Sequence, residues 1–104
     1  MEQRRHQRFE LHLPYEIQQV PGRGAIRGET RNLSGQGALL ACSVPLTVGE
    51  TIEYSVTLPA PGSGALVRIL CSGRVLRCDR ARAEVAASIE RYEFVREQAA
   101  SAAA

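Results

Sequence analysis

Two short stretches hold most of the side chains that could do chemistry. Arg4-Arg5-His6-Gln7-Arg8 crowds three guanidinium groups near the amino terminus, and Asn32-Leu33-Ser34-Gly35-Gln36-Gly37 gathers an amide, a hydroxyl and two glycines further along. A guanidinium is planar and always charged. It can grip a phosphate through two parallel hydrogen bonds, pair with the O6/N7 edge of guanine, or lie flat on a purine face. Asn32 brings an amide oxygen that accepts from a base or backbone N–H, and Ser34 a hydroxyl that donates or accepts. Gly37 lets backbone approach a ligand closely, or supplies a positive φ. Leu33, between the two polar residues, points the other way into the core. Together they describe a clamp and a polar turn suited to a small anionic purine ligand, and a guanine dinucleotide offers both the phosphate and the base edge.

Each stretch also has a plain reading. Basic residues ahead of a first strand are often only a solvated arm, and Asn, Ser and Gly are ordinary turn residues. The remaining candidates for chemistry are weaker. Cys42, Cys71 and Cys78 lie at spacings that match no zinc module and read as reduced thiols serving as small hydrophobes. His6 and His12 lack a second ligand at metal spacing, and neither is placed as a catalytic base. No carboxylate pair, nucleophile with its base, or metal set occurs at usable spacing, so no enzyme is expected. A formal net charge of +2 is too mild to argue for nucleic acid. The aromatic residues Phe9, Tyr15, Tyr54, Tyr92 and Phe94 fall mostly on apparent core faces instead of forming a stacking platform.

The elements that must carry these motifs are strands. A chain of 104 residues makes one domain with one core. Phe9, Leu11, Leu13, Tyr15 and Ile17 alternate with polar positions, which predicts a strand that buries one face; Pro14 within it argues for an edge or a bulge. Pro21-Gly22-Arg23-Gly24 supplies a turn. Further strands are predicted over 25–33, 38–43, 52–58, 66–78, with Gly73 as a possible kink, and 83–89. The Asn-x-Ser-x-x-Gly stretch thus sits on the hairpin between the second and third strands. Six strands at regular spacing argue for an antiparallel barrel. From Arg91 onward, Tyr92, Val95 and Ala99 follow helical spacing, which predicts a short carboxy-terminal helix before an Ala-rich tail. No apolar run reaches the roughly 18 residues of a membrane-spanning helix, and no secretory signal follows the first arginines, so a cytoplasmic location is expected.

Arg-x-x-x-Arg followed by Asn-x-Ser-x-x-Gly, on either side of the first strand, resembles the signature of the PilZ domain, a family of small β-barrels that bind the bacterial second messenger cyclic di-GMP. The resemblance covers roughly residues 4–97. It implies an all-β fold, a six-stranded antiparallel β-barrel with a short C-terminal α-helix, organised as a flexible arginine-rich arm over 1–8, a barrel with its helix over 9–97 and a frayed tail over 98–104. It implies that Arg4 and Arg8 recognise guanine and phosphate, that Arg5 assists, and that Asn32, Ser34 and Gly37 form the barrel side of the site. The ligand is then cyclic di-GMP, with no cofactor and no metal, and the partner an effector protein or parent domain, with neither nucleic acid nor membrane insertion. One departure is visible: where the family often has a Gly-hydrophobic-x-Phe pattern in its final strand, this chain has Ala86-Ala87-Ser88-Ile89. The alternative function is a nucleotide-independent, PilZ-like protein–protein adaptor.

Overall fold

A computed structural model describes residues 11–20, 24–60 and 65–98. Alternating apolar and polar residues have formed seven strands: β1 (Pro14–Val20), β2 (Gly24–Leu33), β3 (Gly37–Ala41), β4 (Thr51–Ala60), β5 (Ala65–Asp79), β6 (Glu84–Ser88) and β7 (Arg91–Gln98). Neighbours run in the order β4-β1-β2-β3-β6-β5, and a further β4–β5 pairing closes the ring. All pairings are antiparallel. The six-stranded barrel expected from sequence is therefore present, and closure removes the free edges that an open sheet of these strands would expose.

The expected carboxy-terminal helix does not begin at Arg91. Residues 91–98 are strand β7, paired with β5 from Ser72↔Arg91 to Ala65↔Gln98. The cause is non-local. β5 is 15 residues long; its first part pairs with β4 on one side, and its last part, from Val75 to Asp79, pairs with β6 on the other. That leaves an open edge along residues 65–72, which the chain leaving β6 fills by continuing in nearly the same register. The pairing outweighs the weak helical spacing of Tyr92 and Val95. Residues 99–104 lie outside the described residues. Among the described residues no helix is long and apolar enough to cross a membrane.

Pro14 also differs from expectation. β1 is not an edge strand, since it pairs with both β2 and β4. Pro14 is its first residue, and pairing with β4 begins only at Tyr15, so the missing N–H costs no ladder bond on that side.

The core gathers the inward side chains of every strand in the ring. Ile17, Leu40, Tyr54, Val56, Val75 and Val85 are fully buried, each apolar side chain contributing about 1.5–3 kcal/mol relative to an exposed position. The two core tyrosines find acceptors for their hydroxyls: Tyr15 donates to the Ala41 carbonyl at 2.6 Å and Tyr54 to the Ser88 carbonyl at 3.0 Å. Burial pushes both phenols well above their ordinary range, so they act as neutral donors.

Gly73 sits where β6 gives way to β7, and a Cβ there would lie 1.8 Å from the Ser88 carbonyl oxygen. Only glycine lets that joint close onto β5, where Glu90 N–H donates to the Ser72 carbonyl at 2.8 Å and Arg74 N–H to Ser88 Oγ at 2.9 Å. Gly73 does not break β5, which runs through it.

Candidate functional site

The turn between β2 and β3 is shaped from within. A register shift between Thr30↔Leu40 and Asn32↔Leu39 leaves Arg31 as an extra residue on β2, a bulge that re-aims the end of the strand and the turn beyond it. Arg31 Nη1 lies 2.6 Å from Glu84 Oε2, and that carboxylate is nearly buried, with its side chain 9% exposed. The ion pair ties the bulge to β6. Further along, Ser34 N–H donates to the Gly37 carbonyl at 2.9 Å, and Ser34 Oγ accepts from Gln36 N–H at 3.2 Å. The Gln36 carbonyl accepts from Ile89 N–H at 2.7 Å, so the turn is sewn to the β6–β7 joint.

Asn32, Ser34 and Gly37 come together on one hairpin, as their spacing predicts. Their duties differ. Ser34 spends its hydroxyl on the turn. Gly37 has no positive φ; its hydrogen is needed because a Cβ would stand 2.7 Å from the Ala87 carbonyl oxygen, so the glycine serves the approach of β3 to β6. Asn32 is half-buried, and among the described residues no hydrogen bond holds its side-chain amide. It is the member of the three most available to a ligand. Arg4, Arg5 and Arg8 lie outside the described residues. The chain enters the described structure at Leu11, and Leu11 borders the same groove as Ser34 and Gly35.

That groove, about 260 Å³, is walled by apolar side chains, among them Leu33, Ile69, Ile89, Tyr92 and Phe94. Tyr92 and Phe94 are each 60% exposed and meet edge to face, ring centroids 5.7 Å apart at 80°. Cys71 also lines it. Burial pushes the Cys71 thiol up to about 11, which keeps it protonated and apolar at neutral pH. The two aromatics escape the sequence reading because Tyr92 also fits a helical stripe. Their signal is the alternation of Tyr92, Phe94 and Arg96, which puts all three on one face of a strand.

A second hollow, about 540 Å³, lies between Gln18, Glu53, Ser72, Arg91 and Glu93. It is larger but sets two carboxylates against one guanidinium, which disfavours an anionic ligand. The groove beside Ser34 offers the opposite chemistry: apolar walls for a ring and a polar turn at the rim, with Leu11, where the described chain begins, on its border.

Comparison with curated proteins returns no match. Among solved structures the chain is similar to the Bacillus subtilis inhibitor of motility (MotI/DgrA), with a TM-score of 0.71 and 19% identity over 89% of this chain and 45% of that one. At that identity the likeness speaks for the fold, and the chain spans less than half the length of that protein. The family model for the PilZ domain matches residues 2–100, nearly the whole sequence. A closed six-stranded barrel, a bulged second strand leading into Asn32-x-Ser34-x-x-Gly37 and that match together make this chain a member of the PilZ domain family.

Proposed function

We propose that this domain is a receptor for cyclic di-GMP that reads the messenger without converting it. In this reading Arg4 and Arg8, assisted by Arg5, close over the dinucleotide, while Asn32 and the Ser34 turn hold it from the barrel side. The observation that carries it is the meeting of Leu11 with Ser34 and Gly35 at one groove. Arg8 is three residues upstream of Leu11, and three residues reach at most about 10 Å. Both halves of the Arg-x-x-x-Arg and Asn-x-Ser-x-x-Gly signature can therefore act on one ligand. Tyr92 and Phe94 give its bases exposed aromatic rings, against which stacking is worth about 1–3 kcal/mol per base. The two phosphates attract the arm electrostatically, and the closed arm forms a new surface for an effector protein or a parent domain. Such a receptor works in the cytoplasm, where the messenger is.

A second reading, an adaptor that binds protein without nucleotide, draws on β7. This strand pairs only with β5 among the described residues and exposes Tyr92 and Phe94, which suits capture of a partner segment. Calorimetric titration with cyclic di-GMP, with GTP and cyclic AMP as controls, separates the two. Selective binding of the cyclic dinucleotide supports the receptor; a folded domain that takes up none of the three refutes it and favours the adaptor.

A further inference from the structure

Among the described residues, Thr30 is the one non-aromatic polar residue in the set of largest fully buried side chains, with 0% exposure, and its bonds lead to an unexpected place. Its N–H donates to the Leu13 carbonyl at 2.8 Å, its Oγ1 accepts from Leu13 N–H at 3.0 Å, and its hydroxyl donates to the Leu11 carbonyl. Residues 11–13 belong to no strand, so one side chain and its own backbone supply these fastenings just ahead of β1. Thr30 is itself held firmly: it faces Leu40 on β3, and the next residue is the bulged Arg31, tied to Glu84.

We propose that Thr30 is a positioning residue for ligand capture: it fixes the point from which the arginine segment leaves the barrel, two residues before Asn32 on the same strand. The inference rests on the receptor reading above and says what sets the distance between its two halves. With Leu11 pinned, Arg8 is tethered by three residues. Without the hydroxyl, Leu11 is released and the first pinned residue becomes Leu13, whose carbonyl still accepts from Thr30 N–H, so the tether lengthens from three residues to five. Effective concentration falls as about the three-halves power of tether length, roughly twofold for this lengthening, and more once the pinned chain direction is lost. The effect stays local, because Leu11 is 37% exposed and Leu13 half-buried, so their freed backbone groups can turn to water.

The test compares Thr30→Val, which keeps shape and removes the hydroxyl, with Thr30→Ser, which keeps the hydroxyl. Amide exchange comes first. Thr30→Val should expose Leu13 N–H at least about tenfold while Val56 and Val85 keep their protection, and Thr30→Ser should leave all three protected. Unchanged protection of Leu13, or loss spread evenly through the barrel, overturns the proposal. Calorimetry with cyclic di-GMP on the folded variants comes second. Thr30→Val should bind about two- to tenfold more weakly, Thr30→Ser like the parent. In a double-mutant cycle Arg8→Ala should cost correspondingly less in the Thr30→Val background, whereas Asn32→Ala should cost the same in both. Strict additivity of Thr30→Val with Arg8→Ala means that Thr30 only stabilises the fold and sinks the positioning role. A parent protein that binds no cyclic di-GMP instead refutes the receptor reading, and with it any role of Thr30 in capture, whatever the exchange shows.

Discussion

Replacing Gly73 with Ala puts a single methyl group where the barrel has no room. The added carbon would stand 1.8 Å from the Ser88 carbonyl oxygen, 2.6 Å from its carbon and 3.0 Å from Ser88 Oγ. An unstrained carbon–oxygen contact needs about 3.3 Å, so the β6–β7 joint must retreat by about 1.5 Å. That joint holds the Tyr54 hydroxyl on the Ser88 carbonyl, Arg74 N–H on Ser88 Oγ, Glu90 N–H on the Ser72 carbonyl and Ile89 N–H on the Gln36 carbonyl. Loss of two of these bonds at about 0.5–1.5 kcal/mol each, with residual overpacking, gives a destabilisation of about 3 kcal/mol. For a domain of this size that lowers Tm by roughly 12–24 °C. Urea unfolding followed by circular dichroism, analysed for midpoint and slope, measures it. Because Ile89 also braces the Ser34 turn, ligand binding should weaken in the fraction that stays folded. A Gly73→Ala protein within about 0.5 kcal/mol of the parent would refute the close approach of the β6–β7 joint to β5.

Asn32→Ala should weaken cyclic di-GMP binding at nearly unchanged Tm, while Ser34→Ala, which removes the acceptor for Gln36 N–H, should lower stability by about 0.5–1.5 kcal/mol as well; thermal melts beside calorimetry separate the two, and equal Tm losses would show that Asn32 is structural. The Cys71 thiol is held up to about 11 in the folded state against roughly 8.5 when unfolded, so its contribution is complete below about pH 8.5 and is lost as pH rises through 11. Tyr15 and Tyr54 shift in the same direction. Tm measured from pH 8 to 11 should fall, and less steeply in Cys71→Ala; identical slopes would remove Cys71 as a cause.

Much of the barrel is legible in the sequence because its strands alternate. Tyr15 and Ile17, or Ile52, Tyr54 and Val56, announce a buried face locally, and Ser34 to Gly37 announce a turn by their composition. The features that sequence does not yield depend on partners far along the chain. Tyr92 fits a helical spacing with Val95 as well as an alternating one with Phe94; the open edge of β5 decides between them. Pro14 argues for an edge only while the onset of β4 pairing is unknown. Gly37 carries the right residue type for another reason, since the Ala87 carbonyl is what a side chain would strike. Thr30 looks like an ordinary strand residue, and its link to Leu11 and Leu13 spans a separation that no local pattern reveals. Asn32 is half-buried, and no hydrogen bond holds its side-chain amide among the described residues.

In the proposed receptor, the arginine segment and the Asn32–Ser34 turn hold one ligand at the groove beside Tyr92. The most direct measurement is backbone amide chemical-shift mapping during titration with cyclic di-GMP, on the parent and on Arg8→Ala. Saturable shifts are expected at residues 4–13, 32–36 and 89–94, with affinity reduced about tenfold to a hundredfold in Arg8→Ala, the loss of charge-assisted hydrogen bonds worth about 1.5–3 kcal/mol. Shifts gathered instead around Glu53, Arg91 and Glu93, or an Arg8→Ala protein that binds like the parent, would contradict it.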